Sequence, residues 1–187
     1  MKRIAVVGSG TDVGKTFVTC RLLEDLRARG VDVVPRKPVV SGIDPAAMAT
    51  SDTDRLIVAA GIVVDDANRD RVSPFRFIAP LAPNEAARRE GVVLDHAAIV
   101  NACAVDGDPD AVVVETAGGV MSPLTDTTTQ LDLVVDLGAV ALLVVEGSYL
   151  GWISHTLTAV FALQTRGVDV VGIVVNHGVT LPLHPFV

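Results

Sequence analysis

The chain has 187 residues, 50% of them hydrophobic and 20% charged, which suits one globular domain with a well-buried core. Its net charge of -7 argues against nucleic acid as a partner, because a non-specific footprint there needs a basic surface. No secretion signal is visible, and apolar runs break before the roughly 18 residues of a membrane span, so a soluble cytoplasmic protein with no membrane partner is expected.

Residues 4–7 are a short apolar run closed by Gly8, the pattern of a buried parallel strand. After Lys15 the period changes: Phe17, Cys20, Leu22, Leu23 and Leu26 mark one face of a helix that stops near Gly30. Residues 31–34 predict a second strand, and residues 35–42, PRKPVVSG, carry the chain onward. Residues 52–60 read as a short helix with Ser51 as its N-cap. The stretch SPFRFIAPLAPNEAARREG is punctuated by Pro74, Pro80 and Pro83, which predicts loop until Pro83 opens a short helix. Another helix is expected over residues 94–104. Strands follow over 111–114 and 140–145, ending in Glu115 and Glu146; a helix over 153–165 precedes a last strand over 168–175 that ends in Asn176. Cys20 and Cys103 fall in helical stretches without metal or redox spacing, so they read as core residues.

Apolar strands alternating with helices imply an α/β fold with a mainly parallel sheet flanked by helices. No internal repeat or linker divides the chain, so residues 1–187 read as one domain. Gly8, Glu115, Glu146 and Asn176 each close a strand, and ligands of open α/β sheets gather beyond those carboxyl ends.

VVGSGTDVGKT lies between the first strand and the first helix, the context of a phosphate loop. Five residues separate Gly8 from Gly14, one more than the usual spacing, so strict alignment puts Ser9 in the first glycine's place. Backbone N–H groups and the helix N-terminus would cradle phosphate, Lys15 would reach the terminal phosphates, and the Thr16 hydroxyl would face Mg2+. Only 3 of the 15 basic residues are lysines, and two of these stand out, Lys15 in the glycine loop and Lys37 just past a strand, where a compact point charge differs from an arginine fork. Asp12 is either an exposed turn carboxylate or a group facing metal or amine. Glu115 ends a run of valines, where an uncompensated carboxylate is costly and metal or hydrogen bonds are needed. Asp52 and Asp54 compete as a second carboxylate, either of them equally a helix-dipole partner. Gly118 and Gly119 suggest close approach of backbone to a ligand or a tight turn. The helix start near Gly151 offers free N–H groups to an anion, Trp152 reads as a core or interface anchor, and Asn176 has both donor and acceptor for a purine edge. His155 reads as locally packed rather than as a general base. A nucleotide loop by itself fits a motor, switch, kinase or ligase.

Taken with KPVVSG, SDTDRL, PLAPNEAARREG, ETAGGVMSPL, SYLGWISHTLTA and VVNHG, the loop GSGTDVGKT resembles the dethiobiotin synthetase family over almost the whole chain. Related loops occur in partitioning ATPases and cobyrinic-acid amidases; the other segments are the specific part. The resemblance implies a P-loop NTPase-like fold and a homodimer with a shared active site. It also implies an ATP-dependent ring closure of 7,8-diaminononanoate with CO2, through a carbamate and a carbamic-phosphoric anhydride. Lys15 and Lys37 are the implied catalytic cations. The implied nucleotide set is Asp12, Val13, Gly14, Lys15, Thr16, Phe17, Glu115 and Asn176, with Asn176 reading adenine. Thr16, Asp52 and Glu115 are the implied Mg2+ set, Asp52 being chosen over Asp54 because the family places a leucine four residues on, here Leu56. Thr11, Lys37 and Ser41 line the implied diamine site, and Leu150 and Gly151 of the other subunit receive the substrate carboxylate.

The chain departs from the family pattern at Gly10, commonly acidic, at Thr116, usually glycine, and at Trp152 and Ser154 on the dimer side. It is also shorter at its end, where TLPLHPFV stands in place of a longer segment over the base, so looser adenine recognition is expected. The rival readings are an amidoligase on the same fold, a nucleotide-dependent switch or partitioning ATPase, and a shortened inactive paralogue.

Overall fold

The computed structural model describes residues 1–177; the expectation attached to TLPLHPFV lies outside them. A five-stranded parallel sheet runs in the order β2-β5-β1-β6-β7. Its strands are β1 (Lys2–Gly8), β2 (Val33–Arg36), β5 (Ala111–Gly119), β6 (Val140–Glu146) and β7 (Val170–Asn176). Parallel neighbours need crossovers, supplied here by α1 (Lys15–Ala28), α2 (Asp52–Ala59), α3 (Asp66–Val72), α4 (Pro83–Arg89), α5 (His96–Ala102), α6 (Gln130–Asp136) and α7 (Trp152–Thr165). A second, two-stranded parallel sheet pairs β3 (Val39–Ser41) with β4 (Phe75–Phe77).

Side chains alternate across the main sheet, so each strand feeds two cores. Ala5, Val7, Val112, Val114, Leu143 and Val145 face one side, with Ile99, Leu133 and Leu163 over them. Val6, Val113 and Val144 face the other, under Leu23, Leu56 and Ile57. These side chains are almost wholly buried, each valine, leucine and isoleucine contributing about 1.5–3 kcal/mol on transfer from water. β1 lies between β5 and β6, so the chain leaves its carboxyl end at the point where successive strands are added to opposite sides. That crevice is where an open α/β sheet binds its ligand.

Several expected elements hold and several shift. Ser51 accepts a hydrogen bond from the Asp54 N–H and caps α2, as its residue type predicts. The second strand begins at Val33 rather than at residue 31, because the Val31 N–H closes the end of α1 on the Leu26 carbonyl. The loop expected from residue 73 to Pro83 contains β4 instead. Pro74 and Pro80 flank the Phe-Arg-Phe alternation without interrupting it, and the Phe77 side chain enters the core. The strand expected to end at Glu115 continues through Gly119. Sequence reasoning missed α3, α6 and an irregular helical turn, Pro45–Thr50.

Candidate active site

β1 delivers the chain into the loop at Gly8, where an added Cβ would press on the Gly10 carbonyl oxygen at 2.8 Å and on the Lys15 amine at 3.0 Å. Asp12 is held at φ 58° and Gly14 at φ 95°, left-handed conformations of the kind found in anion-binding nests of backbone N–H groups, before α1 begins at Lys15. A Cβ on Gly14 would strike the Asn176 amide, which donates to the Val13 carbonyl oxygen at 3.2 Å. Asn176 at the end of β7 thus braces the loop from its far side.

Lys15 is 7% exposed and donates through Nζ to the Gly10 carbonyl at 2.9 Å. Burial, reinforced by the charge of Lys37, lowers its pKa to about 8, although Glu115, Asp12 and Asp52 pull the other way. Lys37 follows directly on β2 and is the hub of the site. Its Nζ donates to Glu115 Oε1 at 2.7 Å and to the Asp52 carboxylate, and lies 3.4 Å from Thr16 Oγ1. Burial opposes the charge on Lys37, but the two carboxylates and their hydrogen bonds outweigh it and raise its pKa. The Asp52 carboxyl is drawn upward by burial and more strongly downward by Lys37 and Thr16, so its pKa lies below the usual value. Thr16 donates to Glu115 Oε1 at 2.7 Å, which leaves Glu115 Oε2 buried without a hydrogen-bond partner.

These groups line a cavity of about 320 Å³ that also takes in Thr11, Asp12, Gly14, Phe17 and Ser41. Its remaining wall is Val39, Val40, Arg55, Thr116, Ala117 and Gly118. Most of that wall went unassigned in the sequence, although Arg55 is one helical turn from Asp52 and the two valines directly precede Ser41. The Ser41 hydroxyl donates to the Leu81 carbonyl at 2.7 Å, and Thr116 fills a wholly buried position with its hydroxyl on the Val6 carbonyl at 3.3 Å. Phe17 is 56% exposed at the rim, with Arg21 over its ring.

Other expected residues lie elsewhere. The Val13 side chain is buried in the core under α1, so only its backbone is near the loop surface. Glu146 accepts from Ser148 and does not line the cavity. Asp54 turns away from Lys37 and pairs with Arg69. Leu150 and Gly151 stand outside the cavity of their own chain, with Leu150 fully exposed. His155 Nδ1 lies 2.7 Å from the Tyr149 hydroxyl, a local contact as expected. A second cavity of about 380 Å³, sharing Thr11 with the first, is lined by Ser9, Ser122, Met121, His155 and Thr158 among others.

A family model described as an AAA domain matches residues 2–181. The ATP-dependent dethiobiotin synthetase BioD of Phenylobacterium zucineum is 49% identical over 180 residues, covering 95% of this chain and 76% of that protein. The synthetase of the same name from Caulobacter vibrioides is 49% identical over 185 residues, 97% of this chain and 83% of its own length. That of an Anaeromyxobacter species is 43% identical over 179 residues, with coverages of 95% and 77%. Among solved structures, the kinase domain of Escherichia coli tyrosine kinase ETK superposes with a TM-score of 0.56 at 15% identity, over 99% of this chain and 72% of that one. That likeness shows the P-loop NTPase-like fold alone.

Proposed function

This chain belongs to the ATP-dependent dethiobiotin synthetase family, and from that premise we propose that the Lys37 cavity is where the ring is closed. The reaction is ATP-dependent dethiobiotin synthesis, a ligase step of biotin biosynthesis. The observation that carries the assignment to this cavity is Lys37 itself: a buried ammonium between Asp52 and Glu115, in a cavity lined by the phosphate loop and by Val39, Val40 and Ser41.

One amine of 7,8-diaminononanoate takes up CO2 and releases a proton, giving a carbamate. The carbamate oxygen accepts the γ-phosphoryl group of ATP and ADP leaves. The second amine attacks the carbonyl carbon of the resulting anhydride, the carbon–oxygen bond to phosphate breaks, and a cyclic urea, phosphate and a proton are produced. The protein's part is positioning and charge. Loop N–H groups and Lys15 hold the nucleotide phosphates, Lys37 neutralises the carbamoyl oxygen and the phosphoryl group in transfer, and Thr11 and Ser41 orient the amines. No side-chain nucleophile is needed.

The donor set fits Mg2+. Thr16, Asp52 and Glu115 would hold it through hard oxygen donors, and Glu115 Oε2 has no hydrogen-bond partner. When bound, the ion supplies further neutralisation of phosphate charge.

We read residues 1–187 as one cytoplasmic domain that pairs with a second copy. Among the described residues no helix is long and apolar enough to cross a membrane. Leu150, Ile153, Leu157 and Phe161 lie exposed along the start and outer face of α7, and the partner's Leu150 and Gly151 region would receive the substrate carboxylate. We assign adenine contact to Asn176, on the strength of its place beside the loop.

The test is phosphate release with ATP, Mg2+ and bicarbonate, with and without the diamine. Diamine-dependent release, with a product heavier than the diamine by one carbonyl less two hydrogens, supports the assignment. Release indifferent to the diamine would instead indicate a switch or a different ligase.

A further inference from the structure

Three consecutive residues at the start of α2 are tied to three different places. Asp52 meets Lys37, Thr53 donates its hydroxyl to Ser73 at 2.9 Å, and Asp54 meets Arg69. The last contact is a two-pronged fork: Arg69 Nε to Asp54 Oδ1 and Arg69 Nη2 to Asp54 Oδ2, both 2.8 Å, with Asp54 only 3% exposed. Arg69 Nη1 also reaches Asp66 at 2.8 Å, which fixes the guanidinium to its own helix. The far end of that helix bonds the other half of the site, because the Lys37 N–H donates to the Val72 carbonyl at 2.8 Å. A single short helix, α3, therefore touches both the element that carries the amine and the element that carries the carboxylate.

The segment leading into α2 gives little support. Pro45–Thr50 is irregular at Ala47 and contains no buried residue, so little packing of its own fixes how α2 starts. A planar guanidinium on a carboxylate fixes direction as well as distance. We propose that Arg69 is a positioning residue of the ring-closing site: through Asp54 it sets the rotation of the first turn of α2, so that Asp52 faces Lys37 and the phosphate loop. This rests on the reading of the site given above.

The test uses the full chain with Arg69→Gln and, should that variant not fold, Arg69→Lys, which keeps the cation and loses the fork. Wild-type protein must first show diamine-dependent phosphate release; if it does not, the reading of the site fails and the positioning role that rests on it falls too, whatever the Arg69 variants do. A misplacement on the order of 1 Å lowers rates by about 100-fold, so kcat for Arg69→Gln should fall at least 10-fold. The diamine KM should stay within about twofold, because Thr11 and Ser41 are untouched, as for any loss confined to the transition state. Calorimetry should show weaker binding of ADP with Mg2+ and unchanged binding of ADP without it, with Arg69→Lys between Gln and wild type. In an Asp52→Asn background, Arg69→Gln should weaken the Mg2+–ADP affinity no further. A variant that only melts earlier, with wild-type kcat and Mg2+–ADP affinity well below its melting point, overturns the proposal. So does a loss of that affinity that persists in full without Asp52.

Discussion

Lys37 Nζ stands 2.7 Å from Glu115 Oε1 across 78 residues of sequence, with neither side chain open to solvent beyond 7%. One consequence follows from that closeness: each member is the reason the other tolerates burial.

Removing one partner should therefore cost more than removing both charges. Lys37→Met leaves the Glu115 carboxylate buried beside Asp52 with no cation on it, a loss of about 3–5 kcal/mol. Adding Glu115→Gln should recover part of it, on the order of 1–3 kcal/mol, since no buried charge is then stranded. Both proteins should be silent in diamine-dependent phosphate release. Urea unfolding of the two singles and the double is the measurement. A double mutant as unstable as the sum of the singles would mean that the pair does not interact in solution.

The lowered pKa of Lys15 makes nucleotide binding a proton-uptake reaction at mildly alkaline pH. The free protein loses this proton near pH 8, below the usual 10.5, whereas phosphate oxygens favour the charged form. Affinity for ADP should hold below pH 8 and fall above it, approaching about tenfold per pH unit at the steepest point. The sign for stability is opposite. Between 8 and 10.5 the unfolded chain binds more protons than the native one, so this group's contribution to stability rises with pH there. Calorimetry of ADP binding in two buffers of different ionisation enthalpy reads the proton count directly. A count of zero at pH 8.5, or one unchanged in Lys15→Met, would rule out Lys15 as the source.

Much of this arrangement was legible because it follows local rules. The strand at residues 4–7, the glycine loop and α1 announce themselves by a change of period at Lys15, and Ser51 caps α2 as its hydroxyl requires. Lys37, Asp52 and Glu115 were each identified, but not that the lysine sits between the two carboxylates, since that depends on the order in which β2, β5 and β1 are laid side by side. Residue type alone left Asp52 and Asp54 level for the same reason, and only the family spacing to Leu56 selected Asp52. Both lie in one helical turn, and a partner 15 residues away in α3 decides which one turns inward. α3 itself, DANRDRV, buries only Val72, so it has no apolar period to read. β4 was hidden by its flanking prolines, which usually signal loop.

Acid should act through Asp52. Burial alone would raise its pKa, but Lys37 first and then Thr16 and Arg55 bring it below 3.8, so the folded state holds the carboxylate more firmly than the unfolded state does. The stability that this provides is complete above the unfolded value and disappears as pH falls through the lower folded value. Asp52→Asn should flatten the acid limb of a stability–pH profile below about pH 4, the ordinary carboxylate range, and leave the neutral region parallel to wild type. An unchanged acid limb would show that the ion pair with Lys37 adds nothing to folding.

The outer face of α7 gives the last prediction. Ile153, Leu157 and Phe161 recur every four residues and are 57%, 63% and 71% exposed, with Leu150 fully exposed just ahead of them. An apolar stripe at that spacing on a chain of net charge -7 is a surface for another apolar surface rather than for a basic or acidic one. If a second copy covers it, the helix start at Gly151 is carried toward the neighbouring cleft, and substrate binding becomes dependent on association. Phe161→Glu should then shift the protein from dimer to monomer in sedimentation. The diamine KM should rise by at least about tenfold, the worth of one or two lost carboxylate hydrogen bonds. ADP affinity should hold, because the phosphate loop, Lys15 and Thr16 belong to one chain. A monomer with unaltered diamine KM would separate the two events and remove the partner from the substrate site; wild-type protein that is monomeric at assay concentration would remove the dimer altogether.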